Sequence, residues 1–332
     1  MAVGEFGRIG GEIVHEITLI SPGGATASIL TFGAAVRALA VPLTDGERRE
    51  VVLGYDTAEA YADNSGHLGV MVGRVANRIS GGRFRLDGVT HELPIDEAGC
   101  NTLHGGPGGF TRRNWTIEAA SDAAVDLSLV SEDGDQGFPG RLALRCRYAL
   151  TDAATLEITA TATTDAPTPV NLTNHAYFTL NRAGDCREHL LRIAADFYTP
   201  VDDVLIPTGE IAPVAGTTLD FRVARPIAVD HDIAFVLGGA PGEMVGAAEV
   251  TAPDGRLRLE VETDQPSLQL YTAPHLGPHP AAASGLVHGP HAGFCLEAQG
   301  FVDAPNKRHF PSVTLRPGAV YRHHTRYRFV AL

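Results

Sequence analysis

The feature that most constrains this chain is a two-residue hydrophobic period. In LRLEVET, Leu257, Leu259 and Val261 fall on one side, and Arg258, Glu260 and Glu262 on the other. Leu156, Ile158, Ala160 and Ala162 repeat the pattern. So do Leu142, Leu144, Cys146, Tyr148 and Leu150, and Tyr321, His323, Thr325, Tyr327 and Phe329 near the C-terminus. Side chains alternate across a strand, so each run reads as a strand with one buried face. Turn signals separate the runs: Ser-Pro-Gly-Gly at 21–24, Asp87-Gly88, Asp254-Gly255 and Arg316-Pro-Gly318. The 37 glycines and 21 prolines suit so many reversals. Helix signals are sparse. Asp56-Thr-Ala-Glu59 has the spacing of a capping box ahead of Ala60-Tyr61, enough for a turn or two. Ala240 to Ala252 reads as loop plus edge strand. With no strand–helix–strand rhythm and no fixed-period repeat, the expected fold is all-β, one large antiparallel sandwich or barrel domain over residues 1–332.

Charge and cysteine usage narrow the function. A net charge of −13 disfavours nucleic acid and anionic membranes as partners, because both want a basic face. No run of about 18 apolar residues is present to span a membrane. The N-terminal MAVGEFGRIGGE lacks the apolar stretch of a signal peptide. Cys100, Cys146, Cys186 and Cys295 are far apart with no CxxC, which reads as four free thiols in a reducing compartment. A cytoplasmic protein, monomer or homodimer, is the expectation. Neither GxSxG nor HExxH occurs among its residues, and no histidine pair has zinc spacing.

Five stretches carry polar residues that break the local pattern, where function concentrates. In GRVANRISGG, Asn77-Arg78 sits between small and apolar residues; the arginine either snorkels to solvent or offers its planar fork to hydroxyls or carboxylates. In NTLHGGPGGF, His104 precedes a glycine-rich loop and is either a substrate contact or a turn cap; without a following Lys-Ser/Thr or a helix it is no phosphate loop. NLTNHAYFTL reads as a strand with His175 and Tyr177 on its polar face, which is either a solvated edge or the lining of a pocket. HDIAFVL opens on Asp232, a turn cap or a hydroxyl ligand. GFCLEAQGFVDAPN places Glu297 among apolar residues; in a pocket, partial desolvation would raise its pKa toward neutrality and make it a good base. A carboxylate base and a histidine acid are a matched pair for moving protons.

These motifs, in this order, resemble aldose 1-epimerases, also called galactose mutarotases. The likeness runs from near Phe6-Gly7 to Tyr327-Arg-Phe329. It takes in TFGAAVRALAVP, VVLGYDTAEAY, GRVANRISGGRF, NTLHGGPGGF, DGDQGFPG, NLTNHAYFTLN, QLYTAP, CLEAQGFVDAPN and FPSVTLRPGAVYRHHTRYRF. The resemblance implies a large antiparallel β-sandwich with a groove over one sheet, and interconversion of the α and β anomers of a free aldose without metal or organic cofactor. It implies that Glu297 takes the proton from the anomeric hydroxyl and His175 protonates the ring oxygen. Asn77, Arg78, His104, Asp232 and Gln269 match sugar-holding positions, and Tyr177 follows the acid within its motif. Two departures stand out. Ile233 follows Asp232 where relatives often carry histidine, and Gly300 replaces a bulkier residue, which is expected to widen the groove. Three other readings compete: a sugar-phosphate 1-epimerase, which needs a basic anion site; a non-catalytic carbohydrate-binding or regulatory protein; and a glycoside hydrolase, which needs two positioned carboxylates, with Asp232 and Asp303 the candidates for the second.

Overall fold

The computed structural model describes residues 2–181, 185–277, 286 and 288–332. Among them are 27 strands, many very short, one α-helix and four 3-10 turns. The runs with strict two-residue period form the centre of a nine-stranded sheet: Leu142–Thr151, Thr155–Thr164, Tyr321–Ala331 and Leu257–Thr263 lie side by side, each antiparallel to its neighbours. Val245–Thr251 continues this sheet between Leu257–Thr263 and Leu190–Ile193. It is therefore an interior strand rather than the edge strand expected, because Ala248 and Val250 are buried.

Two five-stranded sheets cover the apolar face of the large one. The first holds the N-terminal strands from Ala2–Ile9 to Arg48–Glu50 in sequence order. The second orders Ala212–Pro213, Phe197–Thr199, Asp232–Val236, Ser267–Tyr271 and Cys295–Gln299. Ile17, Leu39, Val125, Leu144, Ile158, Val261, Leu270 and Leu296 come from all three sheets and join in one buried cluster. This is the sandwich geometry, with opposed apolar faces filling the space between layers. Tyrosines tie the layers. The Tyr148 hydroxyl donates to the Ala34 carbonyl at 2.6 Å and that of Tyr327 to the Leu296 carbonyl at 3.1 Å.

The helix Ala58–Ala62 starts one residue later than the capping-box spacing suggests. Thr57 is the N-cap, and its side chain accepts from Ala60 N, while Asp56 pairs with Arg37 at 3.5 Å. The stretch 171–180 is buried throughout, but only Thr173–Asn174 forms a strand. All four cysteines are unpaired. No helix among the described residues is long and apolar enough to cross a membrane.

Candidate active site

The outer face of the second five-stranded sheet is polar, and its register places the key side chains. Gln269 stands directly opposite Glu297, and Tyr271 opposite both Cys295 and Asp232. Opposed residues of an antiparallel pair point to the same side. Leu268, Leu270, Leu296 and Ala298 alternate with them and are buried in the core behind. A strand buried on both faces thus carries a carboxylate that the alternation alone leaves ambiguous.

Loops from the N-terminal half close over this face. Asn77 sits at a positive φ of 61° and accepts the Arg78 backbone N–H with its side-chain oxygen at 2.9 Å. His104 Nδ1 accepts the Asn77 N–H at 3.2 Å, so His104 caps this turn and lines the groove at once. Gly105 makes the crossing possible. Its φ is +87°, and a Cβ there would lie 2.2 Å from the Gly73 carbonyl oxygen. Behind the loop, the buried Arg74 guanidinium donates to the Pro139 and Gly140 carbonyls at 2.8 and 2.9 Å, holding the DGDQGFPG segment in place. Gln136 of that segment accepts the Gly108 N–H at 2.9 Å.

The result is a groove of about 570 Å³, within the usual range for small-molecule sites. It gathers seven of the residues singled out in the sequence: Asn77, Arg78, His104, His175, Tyr177, Asp232 and Glu297 line it. Gln269 lies just beneath, its Nε2 donating to Asp232 Oδ1 at 2.6 Å. Arg78 does not snorkel. Its guanidinium donates to Glu97 at 3.1 and 3.2 Å and to Asn77 Oδ1 at 3.3 Å, with Asp232 Oδ2 3.7 Å away. The Tyr177 hydroxyl is committed to the Gly66 carbonyl at 2.6 Å, and its ring stacks on His175 with centroids 5.1 Å apart.

At the floor, His175 Nε2 lies 3.7 Å from Glu297 Oε1, with the two residues 5% and 2% exposed. Glu297 Oε2 has no hydrogen-bond partner among the described residues. Burial, helped by the Asp232 charge, pushes the Glu297 carboxyl up to about 8. Burial pushes His175 down to about 3. Desolvation likewise holds His67 down to about 4 and His104 well below its ordinary range. Between those limits the pair carries one proton, and desolvation of both charged forms favours leaving it on the carboxyl. Such a pair can take a proton at one point of a bound molecule and return one at another.

Five contributors escaped the sequence reading. Cys295 and Tyr271 were accessible, each two residues from a recognised position on the same strand face. Glu97, in an acidic turn, looks like a solvated charge. Tyr55 and His67 lie in irregular backbone, where no period marks a face; the His67 and His104 rings meet edge to face at 4.7 Å. Two expectations are corrected. Gly300 does not widen the groove: it exchanges hydrogen bonds with Asn171 at 2.7 and 3.2 Å, and a Cβ there would meet Val313 at 2.8 Å. Asp303 is spent on structure, accepting from Ser80 N at 3.1 Å and from Asn306 at 2.7 Å.

Two groups of potential metal ligands occur among the described residues. In the first, the His175 ring turns Nδ1 to Cys295 and Nε2 to Glu297. One ion takes one nitrogen of a ring, so this is a poor closed donor set. In the second, Asp185 is bound to Arg187, while Cys186 and His291 both bond the Thr272 carbonyl.

Comparison with known proteins agrees with this fold. The sequence model of the aldose 1-epimerase family matches residues 15–328. The chain is 40% identical to the aldose 1-epimerase of Escherichia coli K12, over 97% of this chain and 96% of that protein. It is 41% identical to the galactose mutarotase of Rattus norvegicus, over 98% and 97% of the two chains. Among solved structures, the GalM/aldose epimerase homologue of C. elegans superposes with a TM-score of 0.90 at 30% identity, covering 100% of both chains. The galactose 1-epimerase of Lactobacillus acidophilus does so with a TM-score of 0.84 at 28% identity, over 99% and 98%. The chain belongs to the aldose 1-epimerase family.

Proposed function

We propose that the groove binds a free aldose and interconverts its α and β anomers, with Glu297 as base and His175 as acid. The observation that carries this reading is the buried His175–Glu297 pair, with Nε2 and Oε1 3.7 Å apart at the floor of the groove. A sugar hydroxyl donating to Glu297, together with the Arg78 charge that already lowers its pKa, favours the carboxylate once substrate is bound. The proton then resides on His175. Glu297 takes the proton of the anomeric hydroxyl, the C1–O5 bond breaks as C1=O forms, and O5 receives the proton of His175. Rotation about C1–C2 and closure on the other face, with the roles reversed, give the other anomer. Asn77, Arg78, His104 and Asp232 supply donors and acceptors for the sugar hydroxyls, Gln269 orients Asp232, and Tyr177 backs the His175 ring.

Charge favours a neutral sugar over a sugar phosphate. Among the described groove residues, Arg78 is the one arginine or lysine, against the carboxylates of Glu97, Asp230, Asp232 and Glu297. Arg78 is already bound to Glu97, and a phosphate would meet repulsion there. Polarimetry tests the reading. The protein should speed the relaxation of fresh α-D-galactose or α-D-glucose to the same final rotation, and should act poorly on the 6-phosphates. Relaxation no faster than the spontaneous rate, with several aldoses, would refute it.

A further inference from the structure

A tight turn from Asn64 to Gly69 carries a histidine that the acid–base pair does not use. Inside the turn, Asn64 Oδ1 accepts the Leu68 N–H at 2.8 Å, and its Nδ2 donates to the Leu68 carbonyl at 3.3 Å. From outside, the Tyr177 hydroxyl holds the Gly66 carbonyl at 2.6 Å, the Gly69 N–H donates to the His175 carbonyl at 3.0 Å, and Asn174 Nδ2 donates to the Gly69 carbonyl at 2.8 Å. The turn is thus bonded on both sides of His67 to the segment that bears His175. His67 itself sits at a φ of +56°, a dihedral that histidine adopts more readily than most side chains. Its ring lines the groove, 4.7 Å from the His104 ring and 6.0 Å from that of His175. Nδ1 is enclosed with no hydrogen-bond partner among the described residues. Nε2 is not enclosed, and it too bonds to none of them. An apolar ring would pack on His104 without leaving a buried nitrogen unpaired, which costs stability. Desolvation, with the Arg112 charge, holds the imidazole down to about 4, so the ring is neutral at neutral pH.

We propose that His67 is a further sugar-binding residue, whose Nε2 hydrogen-bonds one hydroxyl of the aldose other than the anomeric one. This rests on the mutarotase reading, in which the anomeric hydroxyl belongs to Glu297 and the ring oxygen to His175. A sugar hydroxyl both donates and accepts, so it suits either tautomer of a neutral ring. The neutral ring adds no charge to a groove that favours an uncharged ligand. Because the turn is bonded to the His175 segment, the contact is held in fixed relation to the acid, and little ordering is left to be done on binding. A polar group aimed at one hydroxyl rejects the analogue that lacks it, since the group is then left unpaired. His67 therefore takes part in choosing among aldoses that differ by single hydroxyls.

The test is a cycle of protein and sugar changes, read by polarimetry on the full-length protein. His67→Phe keeps a ring against His104 and removes both nitrogens. With D-galactose it should lower kcat/KM by about tenfold, chiefly through KM, the size of one hydrogen bond at the upper end of its usual worth. The same comparison is then made with the 2-, 3-, 4- and 6-deoxy analogues. For one of them wild type should already show the loss, and His67→Phe should add almost nothing to it. For the others the penalty should persist in full. Should Phe at that dihedral fail to fold, His67→Asn tolerates the left-handed backbone, lacks the reach of Nε2, and reads the same cycle. An unchanged KM for galactose in a folded variant would overturn the proposal. So would an equal penalty on galactose and every analogue, which would reduce His67 to packing on His104. A wild-type protein that speeds no aldose would instead defeat the mutarotase reading itself.

Discussion

His175 Nε2 and Glu297 Oε1 face each other at 3.7 Å, and both residues are buried. Their separation in sequence is large, yet the fold leaves them one small shift from a hydrogen bond. Desolvation drives the two groups in opposite directions, the carboxyl up to about 8 and the imidazole down to about 3. The singly protonated pair therefore spans the neutral range.

The first prediction is the pH profile. Above the Glu297 limit the pair has no proton to give, and below the His175 limit it has no base. We expect kcat/KM to stay level through neutrality and to fall above about pH 8. A limb near pH 6.5, the value of an exposed imidazole, would contradict it.

The second concerns what sets that limb. The Asp232 charge raises the Glu297 pKa. Asp232→Asn should move the alkaline limb to lower pH, apart from any weakening of KM. An unmoved limb would mean that another group titrates.

The third is a stability effect with a definite sign. The folded chain keeps the Glu297 proton up to about 8, whereas the unfolded chain releases it near the ordinary 4.5. The folded state binds the extra proton between those values, so stability falls as pH rises through the window. Glu297→Gln removes this slope. Its stability relative to wild type should improve from pH 5 to pH 8.5 by on the order of a few kcal/mol, measured by chemical denaturation. A constant difference would show that the carboxyl is not held protonated.

The fourth concerns the scaffold. Gly105→Ala forces a Cβ to within 2.2 Å of the Gly73 carbonyl oxygen at a φ of +87°. We expect a loss of about 2–4 kcal/mol in denaturant unfolding, the range of serious backbone strain and overpacking. A change within 0.5 kcal/mol, the scatter of ordinary surface substitutions, would show that the loop relaxes freely.

Where the fold was legible, long one-sided alternation made it so. The strands Leu142–Thr151, Thr155–Thr164, Leu257–Thr263 and Tyr321–Ala331 each bury one face against the core and leave polar groups outside. The stretch 171–180 has the same look but forms little strand, because its backbone bonds scatter. His175 N goes to Val70 O, Phe178 N to Phe294 O and Thr179 N to Val51 O. Its polar side chains are buried rather than solvated, so the pocket alternative stands. In the groove, Arg78, Asp232 and Glu297 were visible as charges out of place among apolar neighbours. His67 was not, since a turn histidine breaks no local rule, and Cys295 could be reached only from its place two residues before Glu297 on the same strand face. Only the packing of distant segments gives them a role.

The most direct test of the account is the turnover of Glu297→Gln, followed by polarimetry on α-D-galactose and corrected for spontaneous mutarotation. Calorimetry on the same preparation would confirm that sugar still binds. The account predicts at least a ~10²-fold loss of turnover with binding retained, as expected when a general base is removed. Turnover close to wild type in a folded, sugar-binding variant would contradict it and take the chemistry away from Glu297.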